Sequence, residues 1–449
     1  MPNPSALPVV FVAENGLDQS GLSDRDLVWA KANGFQGQRG RLLPLPDAAG
    51  GLDGWAFGTG AKDTRPVFVA GLAGAGLPEG RYRLEGEVGD ATLSAIAFRL
   101  GAYRFEQYKK SVAGPELELF GLADAAEVNR QVEGATLARD LINMPANDLG
   151  PDALEKRIRE FAAGHKMKVK VIAGDDLIKQ RFPMIHAVGR ASAQAPRLID
   201  LTWGKAADPK VTLVGKGVTF DTGGLDIKSP TGMLLMKKDM GGAANVLGLA
   251  HAIMSAKLPV RLRVLIPVVE NAISGSAFRP GDVLASRKGF TVEIGNTDAE
   301  GRLILADALA LADEEAPDFL LDMATLTGAA RVALGPELSP LYCTDDRVAA
   351  TIVEAGRAAE DPFWTMPLWP GYDAQLNSRI ADMNNTGSGG HSGSIVAALF
   401  LRRFVTNAAV WTHLDIFGWT NEARPGRPVG GTDQGIRAIY GLLRQRYPS

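Results

Sequence analysis

Asn296-Thr297-Asp298-Ala299-Glu300-Gly301-Arg302-Leu303 is the stretch from which the rest of the chain can be organised. It follows residues 291–294, a short apolar run that reads as a strand. It precedes residues 303–316, whose apolar spacing reads as a helix. Asp298, Glu300 and Arg302 alternate. In an extended segment, positions i, i+2 and i+4 point to one side, so two carboxylates and a guanidinium would face one space. Taken alone, the same string also reads as a solvated acidic turn.

The flanking pattern repeats the strand-then-helix step. Residues 169–172, 198–202, 211–214, 260–269, 319–324 and 410–416 read as strands; residues 242–255, 347–358 and 393–405 read as helices. This alternation predicts an α/β catalytic domain with a mixed, largely parallel sheet flanked by helices. Sites in such sheets form at the carboxyl ends of strands. The first 120 residues or so are rich in Gly and short apolar runs. Residues 66–70 and 95–100 read as short strands, and glycines 50–51 and 71–80 as loops. A smaller α/β domain for assembly or access control is expected there. Residues 123–141 read as a helix, ended by the Pro- and Gly-containing segment 143–151. The expected organisation is an N-terminal α/β domain over 1–122, a linker helix over 123–150 and a catalytic domain over 151–449.

Bulk properties narrow the function classes. Hydrophobic residues are 46% and charged residues 22% of the 449 residues, as in ordinary soluble chains. With a net charge of -3, no basic excess calls for nucleic acid. No apolar run is long enough for a membrane span. The opening MPNPSALPVVFVAENG lacks the basic start and long apolar run of a secretory signal. Cys343 is the only cysteine, which excludes an intramolecular disulfide and fits a reducing compartment. A cytoplasmic location is expected, with Cys343 as a small core residue.

A second acidic cluster decides how the first is read. Residues 214–224 run Val-Gly-Lys216-Gly-Val-Thr-Phe-Asp221-Thr-Gly-Gly, followed by Lys228 and then Asp239-Met-Gly-Gly-Ala-Ala. Three strand-to-loop transitions thus deliver Asp221, Asp239 and the pair Asp298/Glu300. Four carboxylates packed together without partners would repel and protonate. A pair of divalent cations about 3.5–4 Å apart removes that conflict and is a known hydrolytic arrangement. Oxygen ligands suit magnesium and manganese, and carboxylates also hold zinc. The five histidines lie outside both motifs and no H-E-x-x-H occurs, so a His-rich zinc site is not indicated. His413, in an apolar strand, is expected to be a satisfied core residue.

Together these segments resemble the leucyl aminopeptidases of the M17 family. Arg139-Asp-Leu-Ile-Asn-Met-Pro-Ala-Asn147 and Ala324-Thr-Leu-Thr-Gly-Ala329 look like further family segments. The similarity spans about residues 135–449 and is most specific in the eight-residue acidic string. The N-terminal domain shows no match and is short for that family. The resemblance implies removal of the first amino acid from peptide substrates, with two divalent ions (manganese or zinc, or magnesium) and bicarbonate as cofactors. It implies Lys216, Asp221, Asp239 and Glu300 as ligands of the tighter metal. Asp221, Asp298 and Glu300 would hold the exchangeable one. Lys228 would polarise the scissile carbonyl, Arg302 would hold the bicarbonate that serves as general base, and Asp239 would also receive the substrate amine. Met236, Thr325, Gly328 and the loop after Asp415 would line the side-chain pocket. A homohexamer is implied as well.

Two segments depart from the family pattern. Where the family commonly reads Ala-Gly-Val-Met, this chain reads Phe417-Gly418-Trp419-Thr420, so Phe417 is expected to reshape an apolar pocket. The loop 384–393 lacks a Gly-Arg that family members often carry. A two-metal amidase or esterase, and an inactive peptidase fold kept for binding, are the alternative readings.

Overall fold

The computed structural model describes residues 6–111, 113–119, 121 and 123–448. Residues 1–5 of the opening stretch and residue 122, where the first expected domain ends, lie outside the described residues. The chain divides into two compact units, one of Met1–Thr136 with Thr420–Val429 and one of Leu137–Trp419 with Gly430–Ser449. Among the described residues, no helix is long and apolar enough to cross a membrane.

The first unit carries a five-stranded sheet in the order β2-β3-β1-β4-β5, built from β1 Leu7–Ala13, β2 Leu42–Pro46, β3 Leu52–Gly60, β4 Gly80–Gly86 and β5 Pro115–Leu117. Three sequence expectations fail here. Residues 95–100 lie in the helix Ala91–Gly101, and residues 67–69 form a turn into the helix Ala70–Gly76, so residues 71–76 are not a loop. Short apolar runs buried on every side have no period that separates strand from helix. The missed signal is Asp90, whose side chain caps the second helix by accepting from the Leu93 amide. The glycines serve contact between these helices: a Cβ on Gly74 would stand 2.0 Å from the Phe98 carbonyl oxygen.

The second unit is built on a nine-stranded mixed sheet. Its strands are β6 Lys168–Ala173, β7 Arg197–Trp203, β8 Lys210–Gly215, β9 Gly217–Asp221 and β10 Arg261–Asn271. After a small separate sheet of β11 Val283–Ala285, β12 Thr291–Glu293 and a later strand, it continues with β13 Phe319–Ala324, β14 Ser339–Cys343 and β15 Phe363–Thr365. The small sheet's last strand is β16 Met383–Asn384, and β17 Trp411–Asp415 completes the large sheet. The large order is β15-β14-β17-β13-β8-β10-β7-β6, with β9 also paired to β10. Its centre, β17-β13-β8-β10, is parallel; β7, β6 and β14 supply the antiparallel pairs. This is the expected architecture: one unit with a mixed, largely parallel sheet covered by helices, and a smaller α/β unit.

Burial follows from position. Every residue of β13 is buried, and so is nearly all of the helix Gly241–Ser255. The helix approaches the sheet so closely that a Cβ on Gly242 would lie 2.1 Å from the Met323 carbonyl oxygen. The histidine in β17 is a core residue, as expected, but it is satisfied on one side only: His413 Nε2 is buried with no hydrogen-bond partner among the described residues. His413 Nδ1 meets Asp322 Oδ1 at 2.5 Å, Trp411 Nε1 donates to Asp322 Oδ2 at 2.8 Å, and the His413 ring stacks near Tyr342 and Trp411.

Candidate active site

The carboxyl ends of the parallel strands converge on one cavity of about 280 Å³. Lys216 follows β8, Asp221 ends β9, Thr325 follows β13, and Phe417 stands two residues past β17. Asp239 comes from the 3-10 turn Met236–Met240 at the entrance of the helix Gly241–Ser255. Glu300 is the first residue of the helix Glu300–Asp313, where a carboxylate suits the positive end of the helix dipole.

That last helix corrects the extended reading of the acidic string. It begins three residues earlier than the apolar pattern suggested, so Glu300 and Arg302 are helical. Residues two apart in a helix point about 200° apart. The cavity is lined by Lys216, Asp221, Lys228, Met236, Asp239, Asp298, Glu300, Thr325, Gly328 and Phe417, but not by Arg302. Arg302 is buried; its Nη1 donates to the Asn385 carbonyl at 2.7 Å, and its Nε has no hydrogen-bond partner among the described residues.

Lys216 Nζ sits 2.8 Å from both Asp239 Oδ2 and Glu300 Oε1 and donates to the Thr325 carbonyl at 3.0 Å. Thr325 Oγ1 donates to Asp239 Oδ1 at 2.8 Å. Lys228 Nζ lies 2.9 Å from Asp221 Oδ2 and also pairs with Asp298 Oδ1. Asp221 Oδ1 is steadied by the Gly223 amide and by Asn271 Nδ2, each at 2.8 Å. Asn385 pins the acidic string: its Oδ1 accepts from the Gly295 and Asn296 amides, its Nδ2 donates to the Asn296 carbonyl, and its own carbonyl receives Arg302.

The charges are unbalanced. Asp221, Asp239, Asp298 and Glu300 face the ammoniums of Lys216 and Lys228. Burial pushes the Glu300 carboxyl up to about 8, Asp221 adding to the effect and Lys216 opposing it. Burial and Asp221 push Asp298 up to about 6. Burial also raises Asp239. Burial would raise Asp221 too, but Lys228 and Lys216 hold it below the usual carboxylate range. Burial works to lower both lysines, yet the facing carboxylates hold Lys216 and Lys228 well above the ordinary range.

The donor set fits divalent cations. One oxygen each from Asp221, Asp298 and Glu300 lie within 4.8 Å of one another. Asp239 Oδ2 and Glu300 Oε1 are buried oxygens that make no hydrogen bond, despite the nearby Lys216 ammonium. Added positive charge would offset the burial and the repulsion that push Asp298 and Glu300 toward neutrality.

Four lining residues, Lys238, Leu326, Thr327 and Arg331, were not among those expected from the sequence. Lys238, immediately before Asp239, is buried, and desolvation pulls its pKa down to about 8. Arg331 stands one helical turn past Gly328, and Thr327 caps that helix. Position alone could have flagged both cations: one adjoins a site carboxylate and the other is i+3 from a pocket glycine.

A strand-end cavity of this kind, rich in carboxylates and free of histidine, has the make-up of a metallohydrolase centre. The family comparisons make the assignment particular. The model of the cytosol aminopeptidase family catalytic domain matches residues 136–440, and that of the M17 aminopeptidase N-terminal domain matches residues 7–119. A probable cytosol aminopeptidase of Syntrophotalea carbinolica is 43% identical over 365 residues, covering 77% of this chain and 73% of the relative. One of Methylorubrum extorquens is 38% identical over 456 residues, covering 93% and 90%. The crystal structure of a cytosol aminopeptidase from Coxiella burnetii superposes with a TM-score of 0.93 at 44% identity, over 100% of this chain and 98% of that one. The bottromycin maturation enzyme BotP in complex with Mn gives 0.89 at 34%, over 98% and 99%.

The chain belongs to the M17 cytosol aminopeptidase family. The N-terminal match corrects the expectation that the likeness stops near residue 135. That unit is held by a core of apolar residues and tight glycines, which leaves no short chemical string to recognise.

Proposed function

We propose that this chain removes the N-terminal amino acid from peptides at a binuclear metal centre held by Lys216, Asp221, Asp239, Asp298 and Glu300. The observation that carries the proposal is the meeting of Asp221, Asp298 and Glu300 oxygens within 4.8 Å beside the Lys216–Asp239 pair. Bound divalent ions would supply Lewis-acid polarisation and a water acidic enough to attack near neutral pH. The protein's part is positioning. Asp221 and Glu300, the most buried of the trio, would help hold both ions, while the more exposed Asp298 would serve the exchangeable one.

Lys228 is the only ammonium of the cavity that pairs with both Asp221 and Asp298, which puts a donor beside that exchangeable position. There it would stabilise the oxyanion that forms as the carbonyl is attacked. Asp239, a buried acceptor, would receive the substrate's free amine and so restrict cleavage to the first residue. Arg302, with a buried Nε lacking a partner among the described residues, would anchor bicarbonate as general base. The Mn-bound relative supports divalent metals, and the relatives' names support a cytosolic location. The family resemblance supports a homohexamer, and sedimentation of a stable, active monomer would refute it.

The test is a manganese- or zinc-supplemented panel of aminoacyl amides, each free and N-acetylated, beside Asp298→Ala. Free amines should be cleaved, acetylated ones should not, and Asp298→Ala should lose about a hundredfold in activity. Equal hydrolysis of acetylated substrates would favour the amidase reading; absence of all turnover would favour the binding one.

A further inference from the structure

We propose that the cavity carries a carboxylate-binding subsite made by Lys238 and Arg331, so that peptides beginning with Glu or Asp are preferred substrates. The inference rests on the aminopeptidase reading above and concerns its substrate class.

Lys238 is only 6% exposed. Its Nζ lies 4.6 Å from the centre of the Phe417 ring, and no carboxylate reaches ion-pair distance of it among the described residues. A buried ammonium whose one close partner is an aromatic face still lacks the hydrogen-bond acceptors it had in water. Arg331 approaches the same ring, 5.8 Å away. Its Nη2 is spent on Asp415 Oδ1 and on the Asp415 and Ile416 carbonyls. Its Nη1 is buried with no acceptor among the described residues.

Asp415 cannot serve both cations. Its oxygens already accept the Leu326 and Thr327 amides, the Thr327 hydroxyl and Arg331. Asp239 and Asp415 both act on Lys238 through their charge, but neither reaches ion-pair distance of it among the described residues, and Arg331 Nη1 is left without an acceptor. Met236, Thr325, Gly328 and Ile416, which share the cavity, contribute no further negative charge. A leucine side chain would leave the donors unpaired, whereas a glutamate or aspartate carboxylate would satisfy them. Sites built around polar partners discriminate strongly against analogues that lack them. The part of the cavity beside Phe417, expected to be apolar, thus carries two cations that both approach that ring.

A carboxylate could also arrive as the C-terminus of a short peptide. Substrates with a neutral p-nitroanilide leaving group remove that source. On the metal-loaded protein, kcat/KM for the Glu anilide should exceed that for its neutral isostere, the Gln anilide, by about tenfold or more. Lys238→Met and Arg331→Met should each shrink the Glu-to-Gln ratio by several-fold, chiefly through KM. Lys238→Arg should preserve it. The proposal is overturned if the wild-type protein cleaves Gln and Leu anilides as well as or better than Glu. It is also overturned if both Met variants keep the wild-type ratio, or if Leu-Leu outperforms Leu-Leu-amide while Glu and Gln anilides are equal, which would make the cations readers of a C-terminus. If no anilide or dipeptide is cleaved at all, the aminopeptidase reading fails and this one with it. Cleavage of Leu and Gln without a Glu preference sinks this inference alone.

Discussion

Asp322 and His413 are register partners on the adjacent parallel strands β13 and β17, and their side chains meet at 2.5 Å with no solvent exposure. Burial alone would lower the imidazole's pKa, but Asp322 outweighs it and raises it above 6.5. A raised histidine contributes stability that is fully present below the unfolded pKa near 6.5 and is lost as pH rises through the folded value. Asp322→Asn should therefore cost about 3–5 kcal/mol, and more at pH 6 than at pH 9. Urea titrations at both pH values read this difference; an equal cost at both would contradict it.

Gly242 lies where the helix Gly241–Ser255 touches the backbone between β8 and β13. A methyl there meets the Met323 carbonyl at 2.1 Å and the Lys216 amide at 2.9 Å, and neither is a side chain that can swing away. Gly242→Ala should destabilise by at least about 1–3 kcal/mol. It should also weaken manganese binding, because Lys216 and Asp239 flank the clash. Thermal melts and a manganese isotherm test both parts.

Manganese should stabilise the fold, since it would bind a carboxylate-rich cluster that only the folded chain assembles. At a hundredfold excess over Kd the gain is about 2.7 kcal/mol, or a rise of a few degrees in melting temperature for a unit this large. Glu300→Gln, which keeps shape but removes charge, should lose most of that rise. An unaltered manganese response in the variant would argue against Glu300 as a ligand.

Arg302 gives a separate handle. Bicarbonate-depleted enzyme should regain activity on addition of bicarbonate, and Arg302→Met should not respond. Stopped assays in degassed buffer with and without bicarbonate decide this; equal stimulation of both proteins would remove Arg302 from the role.

Cys343 should be nearly inert in the folded chain. Burial pushes its thiol up from the usual range, with Thr412 only partly offsetting this at 3.3 Å. Alkylation at pH 8 should run at least about tenfold slower than in denaturant, as read by mass spectrometry. Comparable rates would mean the strand β14 opens readily.

The sequence revealed most where residue chemistry and period agreed. The apolar strands β8, β10 and β13 and the four carboxylates could be read because burial demands long apolar runs and the site demands acids beside them. The helices Ala70–Gly76 and Ala91–Gly101 were hidden, since tight helix contact selects Gly and Ala, residues that look like loop or strand in isolation. Arg302 was misdirected by assuming an extended backbone where the helix had already begun. Lys238 and Arg331 went unread for another reason: a cation looks solvated until the packing around it is known.

The fixing of Asn296 by Asn385 has a mechanical consequence. Three contacts lock the start of the acidic string to the end of β16, and a fourth locks Arg302 there too. The turn that carries Asp298 and Glu300 is therefore tied to a second strand as well as to its own helix, so neither carboxylate depends on a single element for its place.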